Sequence, residues 1–346
     1  MKETLLYQKL GQNKVRCNTC QRRCLLSEGD WGYCQTRINK KGKLYSVIYK
    51  VVSSINIDPI EKKPVFHYQP GSSCLSLGTY GCNFKCRFCQ NWQISHTNGA
   101  SINIDNEKLL SPTEAIKIAK KSGAAGIALT YNEPAIWLEY SLDIFKLAKT
   151  NSSRDSSFYT CWVTNGYATS EAIDAIAPYL DIYRVDLKSF DDRLYQKLIG
   201  VPQAAGVFKT TKYLRDKYPN IHIECVTNII PTWNDADKNL KRIAAWIVKN
   251  LGPKTPWHVT RFFPYADLAN VPPTPPETLY KAREIGMKEG LKFVFIGNLA
   301  VEKEDDTFCP KCGNLAIRRS GYLTEVLGVD KKGHCFDCGE NLNIKR

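Results

Sequence analysis

Fourteen cysteines, most of them two or three residues apart, are the side chains of this 346-residue sequence whose spacing suits chemistry. Three lie in GCNFKCRFCQNW, at Cys82, Cys86 and Cys89. Four thiolates close the coordination of a tetrahedral metal, whereas three leave a position open, and an open position is where a reactant meets a metal. A cubane iron–sulfur cluster held by this CxxxCxxC loop would keep one iron without a protein ligand. A three-thiolate zinc or redox site is the other chemistry the spacing permits. The remaining clustered cysteines come in fours. Cys309, Cys312, Cys335 and Cys338 form two CxxC pairs, each followed by glycine (Gly313, Gly339). That is a zinc-ribbon pattern, with zinc the expected metal. Its role is expected to be structural, because so short a segment lacks the core to fold alone, and nucleic-acid binding is the rival. Cys17, Cys20, Cys24 and Cys34 offer four sulfur ligands that suit zinc or an iron–sulfur cluster equally, so their metal stays open. Cys74, Cys161 and Cys225 stand apart in strand-like stretches and are expected to be buried structural thiols.

The elements that must position these residues follow from the pattern along the chain. Residues 1–50 hold one quartet and basic loops. Residues 51–71, with DPIEKKPVFHYQPG, are expected to be an extended linker, because Pro59, Pro64 and Pro70 disfavour helix. From 72 to 300 strands and helices alternate. SCLSLGT, GIAL, FYTCWVT, DIYRVDLK, IHIECVTNIIP, WHVTRFF and KFVFIG read as strands. Between them SPTEAIKIAKKSG is a helix with a capping box from Ser111 to Glu114 and a stop at Gly123. AIWLEYSLDIFKLAK, SEAIDAIAPYL, a stretch at 204–217, NDADKNLKRIAAWIVKN with an Asn or Asp cap, and PPETLYKAREIGMKEG are the other helices. This alternation predicts an α/β fold of parallel strands with helices outside, as a partial or full (β/α) barrel. Chemistry in such barrels gathers at the C-terminal ends of strands. The cysteine loop, TYNEP, TNG and DLK all fall at such ends, which predicts that they share one site. Residues 301–346 form a separate C-terminal segment.

Composition narrows the class. A hydrophobic content of 43% and a charged content of 24% are ordinary for a globular protein. No apolar run approaches the roughly 20 residues of a membrane helix, and the N-terminus lacks the apolar core of a signal peptide. A cytoplasmic protein with no membrane role is expected, and in a reducing compartment paired cysteines favour metal over disulfides. The net charge is +14, and residues 1–50 hold 11 Lys and Arg against 3 Asp and Glu. That block suits nucleic acid, an acidic macromolecule or an anionic substrate, or is simply a solvated face.

With Phe88 before its third cysteine, the central loop resembles the radical S-adenosylmethionine (SAM) superfamily. The resemblance implies a [4Fe-4S] cluster on Cys82, Cys86 and Cys89, and SAM chelating the open iron. Reductive cleavage would then give methionine and a 5′-deoxyadenosyl radical for hydrogen abstraction. It implies no catalytic protein side chain, an external electron donor and sensitivity to oxygen. Thr130, Asn132 and Glu133 of TYNEP match the segment that meets the cofactor's amino group, with Tyr131 and Asn132 replacing a Gly pair. Glu133 is equally suited to a helix N-terminus. Lys188 of DLK would meet the cofactor carboxylate. Asp186 would contact the cofactor or a bound monovalent cation, and Asn165 a cofactor hydroxyl. CNTCQRRCLLSEGDWGYCQTR, DPIEKKPVFHYQPG, GCNFKCRFCQNWQIS, TYNEPAIW and RVDLKSF together resemble the AmmeMemoRadiSam-system enzymes, relatives of the pyruvate formate-lyase activating enzymes. That family implies AMMECR-type and Memo-type proteins as partners. The strand end WHVTRFFPYA has Phe263 where a classical activase His would be sought. A radical enzyme acting on RNA, and a non-catalytic electron-transfer or scaffold protein, are the alternative readings of the same clusters.

Overall fold

β-Branched and aromatic residues in short apolar runs build a central sheet. The computed structural model describes residues 1–102, 107–150 and 158–346. Its main sheet comprises β1 (Ser54–Pro59), β2 (Ser73–Gly78), β3 (Gly126–Leu129), β4 (Tyr159–Thr164), β5 (Ile182–Asp186), β6 (His222–Ile229), β7 (Trp257–Arg261) and β8 (Val294–Gly297). The strands lie in sequence order, and β2 to β8 are parallel throughout. Strands β3 and β4 are buried at every residue, as parallel strands covered on both faces require. Strands β1 and β8 are the two edges of this sheet, so the barrel is the partial form.

Helices α1 (Pro112–Lys121), α2 (Leu138–Thr150), α3 (Ser170–Ile176), α4 (Ala205–Lys217), α5 (Asp237–Leu251) and α6 (Pro276–Lys288) connect the parallel strands. Helix α5 buries Leu240, Ile243, Ala244, Ile247 and Leu251, the stripe of an amphipathic helix. The capping box of α1 forms as expected: Glu114 N donates to Ser111 Oγ at 3.2 Å and Ser111 N to Glu114 Oε2 at 2.9 Å. The cap expected for α5 does not form. Its N-cap is Ala236, without a side-chain bond. Asn234 instead donates to the carbonyls of Lys188 and Asn228 (2.8 and 2.9 Å) and accepts from Ile230 N. A buried amide that can satisfy three backbone groups is worth more there than at an exposed helix start.

Residues 51–71 do more than link. Ser54–Pro59 pairs antiparallel with β2 over six residues, so the sheet begins there rather than at 72. The chain then enters the end of the sheet where the strands start. Glu224 of β6, fully buried, accepts from Phe66 N (2.9 Å) and His67 N (2.8 Å), and meets His222 Nε2 (2.9 Å) and His258 Nε2 (2.7 Å). The Phe66 ring packs edge-on to His258 and against Phe295.

The C-terminal segment is not independent of this plug. It contains β9 (Thr307–Phe308), β10 (Leu315–Ser320) and β11 (Leu323–Val326), one antiparallel sheet. Its Ala316, Ile317, Leu342 and Ile344 share an apolar core with Phe66, Phe293 and Phe295. Arg319 Nη2 donates to Phe66 O at 2.8 Å. The N-terminal segment carries two small three-stranded sheets. It docks through Arg37, almost wholly buried, which grips Glu139 of α2 with two bonds of 3.1 and 2.9 Å. Cys74, Cys161 and Cys225 are buried, as expected.

Removing one member of a buried ionic network leaves the others unpaired, at a cost of about 3–5 kcal/mol. Glu224→Ala is therefore expected to lower unfolding stability by about 3 kcal/mol or more in urea titrations followed by circular dichroism. His222→Phe, which removes only one of Glu224's four partners, is expected to cost less.

Candidate active site

Strand β2 ends at Gly78, and the chain then runs as an irregular loop up to the helical turn Trp92–Ser95. This loop carries Cys82, Cys86 and Cys89. Its backbone is held from several directions. Lys85 N and Arg87 N donate to Ile199 O and Leu198 O at 2.9 and 2.8 Å. Asn132 Nδ2 donates to Gly81 O at 2.7 Å, and Asn165 Nδ2 to Asn83 Oδ1 at 2.7 Å. Arg22, from the N-terminal segment, donates to Asn83 O at 3.1 Å. Gly81 has φ +80°, and a Cβ there would lie 2.6 Å from Cys34 O, so only glycine fits. Burial pushes the Cys82 thiol well above its ordinary value and Cys86 up to about 12, with Lys188 opposing the shift at Cys86. The thiols are therefore neutral until a metal displaces their protons.

The three cysteines open onto a cavity of about 460 Å³. Phe88, Thr130, Asn132, Glu133, Asn165, Asp186 and Lys188 all line it, so every residue expected from sequence at this site is gathered there. TYNEP follows β3. Tyr131 takes a left-handed φ of +70°, a conformation that favours glycine. It is secured at both ends: its hydroxyl donates to Asp58 Oδ2 at 2.8 Å, and its carbonyl accepts from Asn91 Nδ2 at 2.7 Å. Glu133 accepts from Ala135 N (3.0 Å), Thr164 Oγ1 (2.7 Å) and Asn165 N (2.7 Å). It caps the 3₁₀ turn Pro134–Trp137 that leads into α2, so the helix-terminus expectation holds. Burial raises its carboxyl to about 7 against these three donors. The Asn165 side chain is engaged at both ends, donating to Asn83 and accepting from Tyr167 N at 3.0 Å.

Asp186, at the end of β5, lies between Arg184 and Lys188, with Lys188 Nζ at 2.8 Å. Burial alone would raise the Asp186 carboxyl, but the two cations hold it below the usual range. Lys188 Nζ stands 5.6 Å from the centre of the Phe88 ring, so cation and cysteine loop are in contact. Sequence reasoning missed Arg184, Asn228 and Thr260, which also line the cavity. Strand parity could have found them: Arg184 is two residues from Asp186, and the other two lie at the ends of β6 and β7. Asn228 Oδ1 is buried without a partner. Tyr322, from the tip of the β10–β11 hairpin, reaches the same cavity, and no local pattern announces it. Phe263 also lines it.

The C-terminal quartet is gathered. All four sulfurs lie within 4.8 Å of one another, with Cys309–Cys338 at 3.5 Å and Cys312–Cys335 at 3.6 Å. A tetrahedral ion with metal–sulfur bonds of about 2.3 Å needs sulfurs about 3.8 Å apart, so this donor set fits one metal ion.

Residues 76–245 match the radical SAM superfamily domain. An uncharacterized protein of Methanocaldococcus jannaschii is 37% identical over 345 residues, 99% of each chain. A putative glycyl-radical enzyme activating enzyme of the same organism is 28% identical over 220 residues, 63% of this chain and 78% of that one. The chain belongs to the radical SAM superfamily. A radical SAM methyltransferase from Sphaerobacter thermophilus shares the fold, with a TM-score of 0.50 at 15% identity over 66% of each chain. This radical SAM enzyme is related to the glycyl-radical activating enzymes, and its superfamily implies a [4Fe-4S] cluster and SAM. One buried and two half-buried thiols, facing a cavity with both an anchored cation and an unpartnered amide oxygen, fit that pair of groups. Among the described residues no helix is long and apolar enough to cross a membrane.

Asn165→Ala removes the side-chain bond to Asn83 while sparing the Asn165 N–H to Glu133. We expect a loss of about 1 kcal/mol in denaturant titrations. Hydrogen exchange should quicken in residues 82–89 but not in β6, a pattern that a general loss of packing would not give.

Proposed function

We propose that Cys82, Cys86 and Cys89 hold the catalytic [4Fe-4S] cluster and that the enzyme cleaves SAM to abstract hydrogen from a macromolecular substrate, a protein. The observation that carries this reading is that the three thiols and the Asp186–Lys188 pair face one cavity. When bound, the cluster supplies one electron to the SAM sulfonium, giving methionine and a 5′-deoxyadenosyl radical. The chain's own residues bind, orient and shield. Lys188 keeps donors free beyond its bond to Asp186 and takes the cofactor carboxylate. Asp186 fixes that ammonium in place. Glu133 already accepts from three donors, so it sets the TYNEP backbone, and the cofactor ammonium falls mainly to the Thr130–Asn132 segment. Asn165 serves the cysteine loop, and Asn228, with its orphan oxygen, is the better partner for a ribose hydroxyl.

A protein substrate is supported by the likeness to a putative activating enzyme and by Tyr322 at the cavity, which ties the metal-binding segment to whatever enters. An external one-electron donor, zinc in the C-terminal quartet, a cytoplasmic location and partners of AMMECR or Memo type complete the proposal. The assignment to the AmmeMemoRadiSam-system enzymes rests on the sequence motifs quoted above.

Anaerobically reconstituted protein with dithionite and SAM is expected to form 5′-deoxyadenosine, measured by liquid chromatography, and Cys86→Ala to form none. Absence of the product from the wild type with its iron in place would end the proposal. Lys188→Met is expected to weaken SAM binding roughly 10- to 100-fold, the worth of one charge-assisted hydrogen bond. Iron content should stay unchanged.

A further inference from the structure

The N-terminal quartet lies outside the site just described. Cys17, Cys20 and Cys34 are buried and Cys24 is half-buried, within 18 residues of chain. All four are free thiols, and Cys17 N donates to Cys24 O at 2.9 Å, which closes the loop that carries three of them. Four mostly buried thiols in so short a segment suit a metal site. Their spacing tells which kind.

One metal ion needs sulfurs about 3.8 Å apart, and the C-terminal quartet, at 3.5 and 3.6 Å, has that spacing. Among the described residues, no three sulfurs of the N-terminal quartet lie within 4.8 Å of one another. The trio Cys82, Cys86 and Cys89 is likewise spread. A cubane gives each thiolate an iron of its own and so spreads its ligands over four corners. The quartet therefore has the spacing habit of the cluster-binding trio, not that of the ribbon. Two further features suit a cluster. Thr36 Oγ1 donates to Cys34 Sγ at 3.1 Å, the kind of hydrogen bond to sulfur that sets a cluster's potential. The Arg37 guanidinium, fixed by Glu139, acts on Cys17 and Cys34 and offsets thiolate charge.

We propose that Cys17, Cys20, Cys24 and Cys34 hold a second four-iron cluster, seated against the loop of Cys82, Cys86 and Cys89. Contact between the two sites is direct. The carbonyl of Cys34 closes on Gly81, the neighbour of Cys82. Arg22, between Cys20 and Cys24, stacks on Tyr33 and donates to Asn83 O. A cluster at this place is a one-electron carrier beside the site that consumes an electron, whereas zinc has no redox chemistry.

Metal analysis and electron paramagnetic resonance of full-length protein, reconstituted anaerobically with iron and sulfide, test this. In the Cys82→Ala, Cys86→Ala, Cys89→Ala triple variant about four irons and about one zinc per chain are expected. The reduced sample should give a cubane signal that SAM does not alter. A second zinc, a two-iron signal or no iron in that variant overturns the proposal. In the wild type, Cys20→Ala with Cys24→Ala should remove about four of about eight irons and leave the zinc. Loss of zinc instead would also overturn it. If the trio bound no cluster, wild type and triple variant would hold equal iron, so failure of the active-site assignment reads differently from failure of this one.

Discussion

A loop with little regular structure must hold three thiols at fixed separations against one cavity, and it cannot satisfy its own backbone. Buried N–H and C=O groups left unpaired are costly, so each must find a partner elsewhere. The enzyme answers from three sides: Asn132 after β3, Leu198 and Ile199 after β5, and Arg22 from the N-terminal segment, while Asn165 after β4 holds the Asn83 side chain. Each neighbouring strand end thus spends a polar group on holding the cysteines. This explains why side chains expected to face a cofactor turn out to be engaged already. Asn165 and Glu133 form a frame, whereas Lys188 keeps donors beyond its bond to Asp186 and Asn228 Oδ1 has no partner.

Charge is arranged by the same economy of positions. The chain carries a large positive surplus, and three of its buried cations are paired: Arg37 with Glu139, Lys63 with Asp58 at 2.6 Å, Lys188 with Asp186. Buried pairs add little net stability, because desolvation consumes most of the attraction, but breaking one strands a charge. Arg37 joins segments that the sequence separates, fastening the N-terminal segment to α2, whereas Lys63 and Asp58 fix the turn of the bridge after β1. At the far end Arg319 and Glu224 fasten the C-terminal segment and the bridge to the strand starts. The pairs act as registration marks between segments, which is the use to which costly buried charges are best suited.

Much of the barrel was legible in the sequence because its signals are local. Apolar runs of strand length, the Ser111–Glu114 box and the periodic face of α5 report on neighbours a few residues away. The strand-end motifs were legible because parallel topology sends all such ends to one side. What was not legible depends on partners far along the chain. Asn234 reads as a helix cap, but Lys188 and Asn228 compete for it and win. The prolines of the bridge argue correctly against helix, yet only the pairing with β2 and the bonds to Glu224 make it part of the barrel. Tyr322 reaches the cavity only because the C-terminal segment shares a core with the strand starts.

The thiol chemistry ties these observations together. Burial holds Cys82 and Cys86 protonated, so a metal must displace protons to bind, and binding free energy becomes available to the fold. A loop that depended on its cluster for shape would be left without order whenever the cluster was lost. Here amides, Arg22 and backbone bonds frame the loop as well, so its shape is held by more than the thiols. The cost is that the frame draws on every neighbouring segment, the N-terminal one included. Displacing the quartet segment would release Arg22 from Asn83 and Cys34 from Gly81, and so loosen the loop at its first cysteine. The N-terminal quartet segment and the loop of Cys82, Cys86 and Cys89 are therefore coupled mechanically, and neither is an appendage of the other.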